Sequence, residues 1–462
     1  MTRSLTQERT GALEPRHSPA ADVIRQLFAC FAARGIQLCV LGRTDGLPDR
    51  PLGDLDVVVE YGCTEIIPSL LLEFVRLNNA RLVQVLWHEQ TAWYFVIVGR
   101  DPEGHLWFLH PDVCSSFRQR GRILLEPQEL LARSRPALDV AGKPKGFHIP
   151  ASDAEFAYYL LKKIGKQELT DEQAAHLCAV FRENPEGVRR WAKDLWPKGE
   201  ANLICDAAAS GDWSAFRAAL PRLRRVLHLV FPLSLVDRLV ELRRTIERIL
   251  RPTGLWVVIL GADGSGKSTI LTRALGDLAP AFRRTEVVHL RRLFIARADA
   301  MAHRAGDPHR LPARGASGSV AKLALYAAAY IFGYWLKTRP ALVRSTLVGF
   351  DRYYHDLFVD PRRYRYGGPI WLLRLVGLLV PKPDLWIVLE APMQVLQARK
   401  AEVSPDESVR QCRAYHDLRN TLRDAHLIDA SRPLEEVVRA VEDIILDHMA
   451  RRTQRRLNLG RF

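Results

Sequence analysis

Gly261-Ala262-Asp263-Gly264-Ser265-Gly266-Lys267-Ser268 matches GxxxxGK[ST] at every fixed position, and this stretch constrains the fold more than any other in the chain. Leu255 to Leu260 before it reads as a short buried strand, and Thr269 to Leu275 after it as a helix. A strand, a tight glycine turn and a helix start bring successive backbone N–H groups and the positive helix end onto one anion. The expected cradle is Gly261, Ala262, Asp263, Gly264, Ser265, Gly266, Lys267, Ser268 and Thr269. Lys267 is placed to reach the β and γ phosphates of ATP, and the Ser268 hydroxyl to ligate Mg²⁺. A bare glycine-rich turn is the alternative, and the flanking strand and helix disfavour it.

At 462 residues the chain exceeds one ordinary core, which points to two or three domains. Lys plus Arg total 67 against 52 for Asp plus Glu, and the resulting charge of +15 favours polyanionic partners: nucleotides, nucleic acid or an acidic membrane surface. Nucleic acid lacks any recognition motif here. Seven scattered cysteines without a C-x-x-C pair fit a reducing compartment, and Met1 to Ala20 lacks the apolar run of a secretory signal, so a cytoplasmic location is expected. Leu323 to Leu336 is the longest apolar stretch; its 14 positions read as a buried helix rather than an interfacial or spanning one.

The pattern divides into a tail at 1–20, a mixed block at 21–150, a helical block at 151–251, an alternating block at 252–450 and a basic tail at 451–462. In the mixed block a helix at Val23 to Ala33 precedes strands at Ile36 to Leu41, Leu55 to Val59, Leu82 to Trp87, Ala92 to Val98 and Leu106 to Leu109, expected as a mostly consecutive sheet. Ser152 and Thr170 read as N-caps of the helical block, with Glu155 in capping-box position. Arg251 to Gly254 breaks the last of these helices, and strands then alternate with helices as a parallel α/β sheet requires. The terminal arginines read as a solvated tail.

The alternating block carries more chemistry. Leu347 to Phe350 is an apolar strand ending in Asp351-Arg352-Tyr353-Tyr354, at the sheet edge where open α/β folds bind ligands. Asp351 there suits Mg²⁺ or its water, and Arg352 suits an acceptor phosphate; a surface ion pair is the bland alternative. Pro383-Asp384-Leu385 leads into another strand. Ser404-Pro405-Asp406-Glu407 restarts a helix on which Arg410 and Arg413 face the same way, as a flap neutralising a moving phosphoryl group would, or as a solvated charged helix. Leu427 to Ala430 reads as a last strand and a turn near the adenine.

Together these residues resemble the thymidylate kinase family of nucleoside monophosphate kinases, over about Gly254 to Met449. The loop Ala262 to Thr269, the Asp351-Arg352-Tyr353 motif and the strand from Pro383 to Leu385 each match. The resemblance implies a P-loop parallel sheet, ATP and Mg²⁺ as cofactors, and a catalytic set of Lys267, Asp351, Arg352 and, as lid arginines, Arg410 or Arg413. The chain departs from the family at Val287 to Arg292, where Arg-Glu-Pro-Gly-Gly is usual, and in the long stretch Leu293 to Arg344. Both fall where the acceptor would sit.

In the first block, Val40-Leu41-Gly42 is followed by Asp54-Leu55-Asp56, which resembles the nucleotidyltransferase signature. Residues two apart on a strand share a face, and two carboxylates there repel unless a cation intervenes. Asp54 and Asp56 are therefore candidate metal ligands, with Asp112 as a third although Pro111 interrupts its strand; solvated carboxylates on an edge strand are the alternative. Arg43 stands where that family has a small residue. The three-part arrangement resembles bacterial proteins associated with surface-polysaccharide production.

The expected protein is thus α/β: an α+β nucleotidyltransferase-like block, a helical middle and a P-loop domain. Its expected activity is phosphoryl transfer from ATP to a nucleoside monophosphate, a glycan-related phosphate or, with Asp351 or Asp356 as base, a hydroxyl. A nucleotide-operated regulatory or membrane-peripheral protein is the alternative, and a homodimer stays open.

Overall fold

The computed structural model describes residues 19–42, 44, 46–49, 53–139, 141–289, 315–399 and 405–458. Arg43, Ser404 and the 290–314 part of the acceptor segment fall outside these. The chain folds as two compact units, Met1–Glu241 and Leu242–Phe462.

The first unit opens with α1 (Pro19–Ala33), β1 (Cys39–Val40), β2 (Leu55–Val58), α2 (Ile67–Leu77), β3 (Arg81–Glu89), β4 (Ala92–Arg100), β5 (Leu106–Leu109) and β6 (Pro111–Cys114). It continues with β7 (Phe117–Gln119), β8 (Arg122–Leu125), α3 (Pro127–Leu131), β9 (Arg135–Leu138) and β10 (Pro144–Ile149). The sheet is mixed rather than consecutive: its order is β3-β4-β6-β2-β1-β10-β9, with β5 paired to β4, and β2/β6 and β1/β10 run parallel. The departure arises because these short strands find partners far along the chain, which periodicity does not encode. Pro111 does not interrupt a strand but begins one, the position where a missing N–H is tolerated.

Helices α4 (Ser152–Lys166), α5 (Asp171–Glu183), α6 (Pro185–Leu195), α7 (Lys198–Ser210) and α8 (Ser214–Val230) follow. Their apolar faces share one core with the sheet, where Cys39, Leu41 and Val58 meet Phe156, Leu160 and Leu177. Thr170 caps α5 in a capping box with Gln173. Ser152, by contrast, is not a cap: Ala151 precedes α4 without a side-chain bond, and Glu155 is drawn inward to Gly42 and His176. The boundary between the units falls within helix α9 (Leu235–Leu250).

In the second unit, β11 (Leu255–Gly261) is buried at all seven positions, as a central parallel strand must be. It runs into α10 (Lys267–Asp277), then β12 (Arg284–His289), α11 (Ala316–Gly333) and, through a π turn at Tyr334–Thr338, α12 (Arg339–Val343). After these come β13 (Thr346–Asp351), α13 (Asp356–Val359), α14 (Ile370–Gly377), β14 (Leu385–Glu390), α15 (Met393–Arg399), α16 (Pro405–Thr421), β15 (Ala425–Asp429) and α17 (Leu434–Asn458). The order β12-β13-β11-β14-β15, parallel throughout and flanked by helices, is consistent with a P-loop kinase-like fold.

Two expectations change here. The apolar stretch at Leu323 to Leu336 is not simply buried: Leu323, Tyr326 and Tyr330 face inward, while Leu325, Phe332, Trp335 and Leu336 are exposed. The arginines after 450 are not a loose tail through residue 458, because α17 continues and docks. Arg452 donates to Thr253 and Gly254 carbonyls at 2.7 and 2.9 Å, and Arg456 to Pro252 at 3.0 Å.

Candidate functional site

The loop after β11 packs tightly against α15. Gly264 has φ +84°, and a Cβ there would meet the Leu396 carbonyl oxygen at 2.8 Å. Gly266, at φ +82°, caps α10 and begins the helix at Lys267. Lys267 Nζ donates to the Gly261 and Ala262 carbonyls, both at 2.9 Å. Ser268 and Thr269 occupy the exposed first turn of α10, and the Ser265 hydroxyl is buried without a hydrogen-bond partner.

The end of β13 lies beside this loop, since Asp351 is in register with Ile259. Ser268 Oγ donates to Asp351 Oδ2, so the two candidate magnesium ligands already meet. Both are hard oxygen donors, the set that Mg²⁺ takes beside phosphates. Arg352 follows in the left-handed region at φ +87°, a conformation that is costly for a long side chain and that re-aims it. Its Nη2 donates to Asp263 Oδ1 at 2.5 Å, and Arg363 Nη1 donates to the other oxygen of the same carboxylate. Lys267 Nζ stands 3.7 Å from Asp263.

Electrostatics follow from this crowding. Burial works to raise the Asp263 carboxyl, but Arg352, Lys267 and Arg363 outweigh it and hold the group well below the usual carboxylate range. Burial and then Arg352 push the Lys267 ammonium down to about 8 against the pull of Asp263 and Asp351. Burial raises Asp356, against Arg352 and two hydrogen bonds, from Tyr415 Oη at 2.5 Å and the Tyr353 amide at 2.7 Å. A buried carboxyl is thereby tied to helix α16.

The tyrosines of the Asp-Arg-Tyr-Tyr stretch are core residues. Tyr353 packs its ring 4.8 Å from Tyr330 and 5.3 Å from Trp256, and Tyr354 donates to the Leu373 carbonyl.

On α16 the two arginines part. Arg410 is bound to Glu407 and, at 2.8 Å, to the Val359 carbonyl. Arg413 instead lines an open cleft of about 830 Å³ at the ends of β14 and β15, with Glu390, Leu427, Asp429 and Arg432. Beside Arg352, the arginine that reaches the loop is Arg363, which the sequence reading missed. The Arg362-Arg363 pair in the tyrosine-rich stretch after β13 was its only signal.

In the first unit the parallel β2/β6 register sets Asp56 opposite Asp112, and the antiparallel β4/β6 register sets Asp112 opposite Tyr94. Tyr94 Oη donates to Asp54 at 2.9 Å, and His88 lies 3.4 Å from Asp112. Lys162, from α4, is paired with Asp56 and donates to Tyr158 Oη at 3.1 Å. Two turns earlier on that helix, Glu155 accepts from the Gly42 amide at 3.2 Å. Burial raises the Asp56 carboxyl, with Lys162 opposing and Asp112 adding to the rise. Asp54, Asp56, Asp112 and Lys162 line a cavity of about 310 Å³, with Arg120 and Arg224 also in its lining.

No model of a known protein family matches the chain, and no curated protein matches it. Among solved structures it is similar to thymidylate kinase from Candida albicans at 16% identity and a TM-score of 0.34, over 43% of this chain and 93% of that one. The parallel sheet order flanked by helices is consistent with a P-loop kinase-like fold for the second unit.

Proposed function

We propose that the second unit is an ATP- and Mg²⁺-dependent phosphotransferase of the thymidylate kinase-like type, acting on a nucleoside monophosphate or a glycan-related phosphate. The observation that carries this reading is the Ser268–Asp351 hydrogen bond beside the glycine cradle: a metal-ligating hydroxyl and carboxylate brought together from positions 83 residues apart. Bound ATP supplies the phosphoryl group, and Mg²⁺ spreads its charge.

The chain's own residues do the rest. The amides of 262–268 and Lys267 hold the phosphates, while Ser268 and Asp351 hold the metal. Arg352 and Arg363, turned to Asp263, are placed to exchange that carboxylate for phosphate oxygens of the acceptor or the moving group. A phosphate acceptor is already ionised and needs no base; for a hydroxyl acceptor, Asp351 or Asp356 is the carboxylate to test as base.

Labelled ATP and Mg²⁺ incubated with nucleoside monophosphates and cell-wall sugar phosphates should label one acceptor, and Lys267→Ala should abolish the product. Intact ATP binding with no acceptor labelled would favour a second reading, in which nucleotide moves α16 without transfer. The Asp356–Tyr415 hydrogen bond and the turning of Arg410 toward Glu407 support that reading. Failure of the folded protein to bind ATP would remove both.

A further inference from the structure

Helix α11 has two unlike faces. Its inner face is locked to the unit's core: Tyr330 packs on Tyr353, Tyr334 stacks 5.4 Å from Trp256, and the Gly254 amide donates to Leu342 just beyond. Its outer stripe runs through Leu325, Phe332 and Leu336, seven and four residues apart, with Trp335 alongside at 60% exposure. Helix α14 packs against α11 and adds Ile370, Leu375, Leu378 and Trp371, the last 65% exposed. A patch of this kind on a folded surface marks an interaction site.

The charge around it selects the partner. Residues 315–350 contain no Asp or Glu; of their cations, Lys337 and Arg344 are exposed, whereas Lys322 donates to the Tyr364 carbonyl and Arg339 to those of Ile249 and Leu250. Residues 364–383 contain Arg365, Arg374 and Lys382, again with no acidic residue. A two-fold contact between copies would set these like charges against each other, whereas anionic headgroups neutralise them. Exposed tryptophans flanked by Lys and Arg stems suit the boundary between headgroups and acyl chains.

We propose that the outer face of α11 and α14 seats the protein in the plane of an anionic lipid bilayer. The segment Ala316–Val343 spans 28 residues and contains an 18-residue window with a mean hydropathy of 1.2, long and apolar enough by length and composition alone to cross a membrane. Its inner face is bound to Trp256 of β11 and to Tyr353 just past β13, so it lies along the surface, as amphipathic interfacial helices do.

The test uses the full chain with vesicles of mixed phosphatidylglycerol and phosphatidylcholine, against vesicles of phosphatidylcholine alone. Cosedimentation should be at least about tenfold stronger with the anionic vesicles and should weaken in high salt. Trp335→Ser with Trp371→Ser should abolish it, and Lys337→Glu with Arg374→Glu should weaken it by about fivefold or more per charge. Both variants change exposed side chains, so ATP binding and melting temperature should stay as in the parent. Should either double variant misfold, the other decides. Equal partition onto neutral and anionic vesicles, no partition at all, or unchanged partition of a folded variant overturns the proposal. So does a dimer in sedimentation velocity that the tryptophan variant dissociates, since the face would then belong to a second copy.

Discussion

Arg352 Nη2 donates to Asp263 Oδ1 at 2.5 Å, so the residue that leaves β13 grips the loop that leaves β11. The same carboxylate binds Arg363 and lies near Lys267. Asp263 thus gathers the three cations that phosphates would claim. We predict that Asp263→Asn, by removing this competing anion, tightens ATP binding roughly five- to tenfold in calorimetry while lowering the melting temperature without nucleotide. Unchanged or weaker binding would show that Asp263 positions the arginines rather than competing for them.

The second prediction concerns pH. Lys267 sits at about 8 in the free site, whereas phosphate contact favours its ammonium form. ATP affinity should hold to pH 7.5 and then fall by about tenfold per pH unit above 8, with proton uptake on binding. Lys267→Ala should flatten that profile. A parent profile that is level from pH 7 to 9 would count against the assignment.

Stability should have its own pH window. Burial, with Lys382 nearby, lowers His355 to about 4, and its ring packs 4.6 Å from Trp386. The folded state therefore resists a proton that the unfolded chain accepts near 6.5. The contribution is complete above pH 6.5 and is lost as the pH falls toward 4, by about 3 kcal/mol in all. Denaturant unfolding at a series of pH values should show this decline, and His355→Phe should remove most of it.

A fourth prediction separates two states of the first unit. The Lys162 ammonium holds the Asp56 carboxylate that a divalent cation would need. Lys162→Met should strengthen Mn²⁺ binding at Asp54, Asp56 and Asp112 about tenfold or more, read by paramagnetic resonance of free ion. An equal affinity in parent and variant would mean that the lysine yields freely or that the carboxylates never converge.

Features readable from local sequence and features that were not divide along physical lines. Gly264 and Gly266 are legible because a tight turn demands positive φ from a short stretch of chain. Asp351 is legible because it ends an apolar strand. Arg363 is not, since its partner Asp263 lies 100 residues away and nothing in either neighbourhood encodes the meeting. Arg410 and Arg413 are three apart and share a helix face in outline, yet local competition from Glu407 turns one aside while the other lines the cleft near Asp429. Asp112 is a candidate from the sequence, but the proline before it leaves its aim open until the parallel register puts it level with Asp56.

By itself, the sequence determined the phosphate loop, the alternation of strands and helices after residue 254 and the basic charge, because each depends on neighbours or on composition. Tertiary structure alone decided that Ser268 meets Asp351, that Asp263 collects Arg352 and Arg363, and that one side of α11 faces outward. These depend on which buried strands lie side by side, and hydrophobic burial drives strands together without naming the partner.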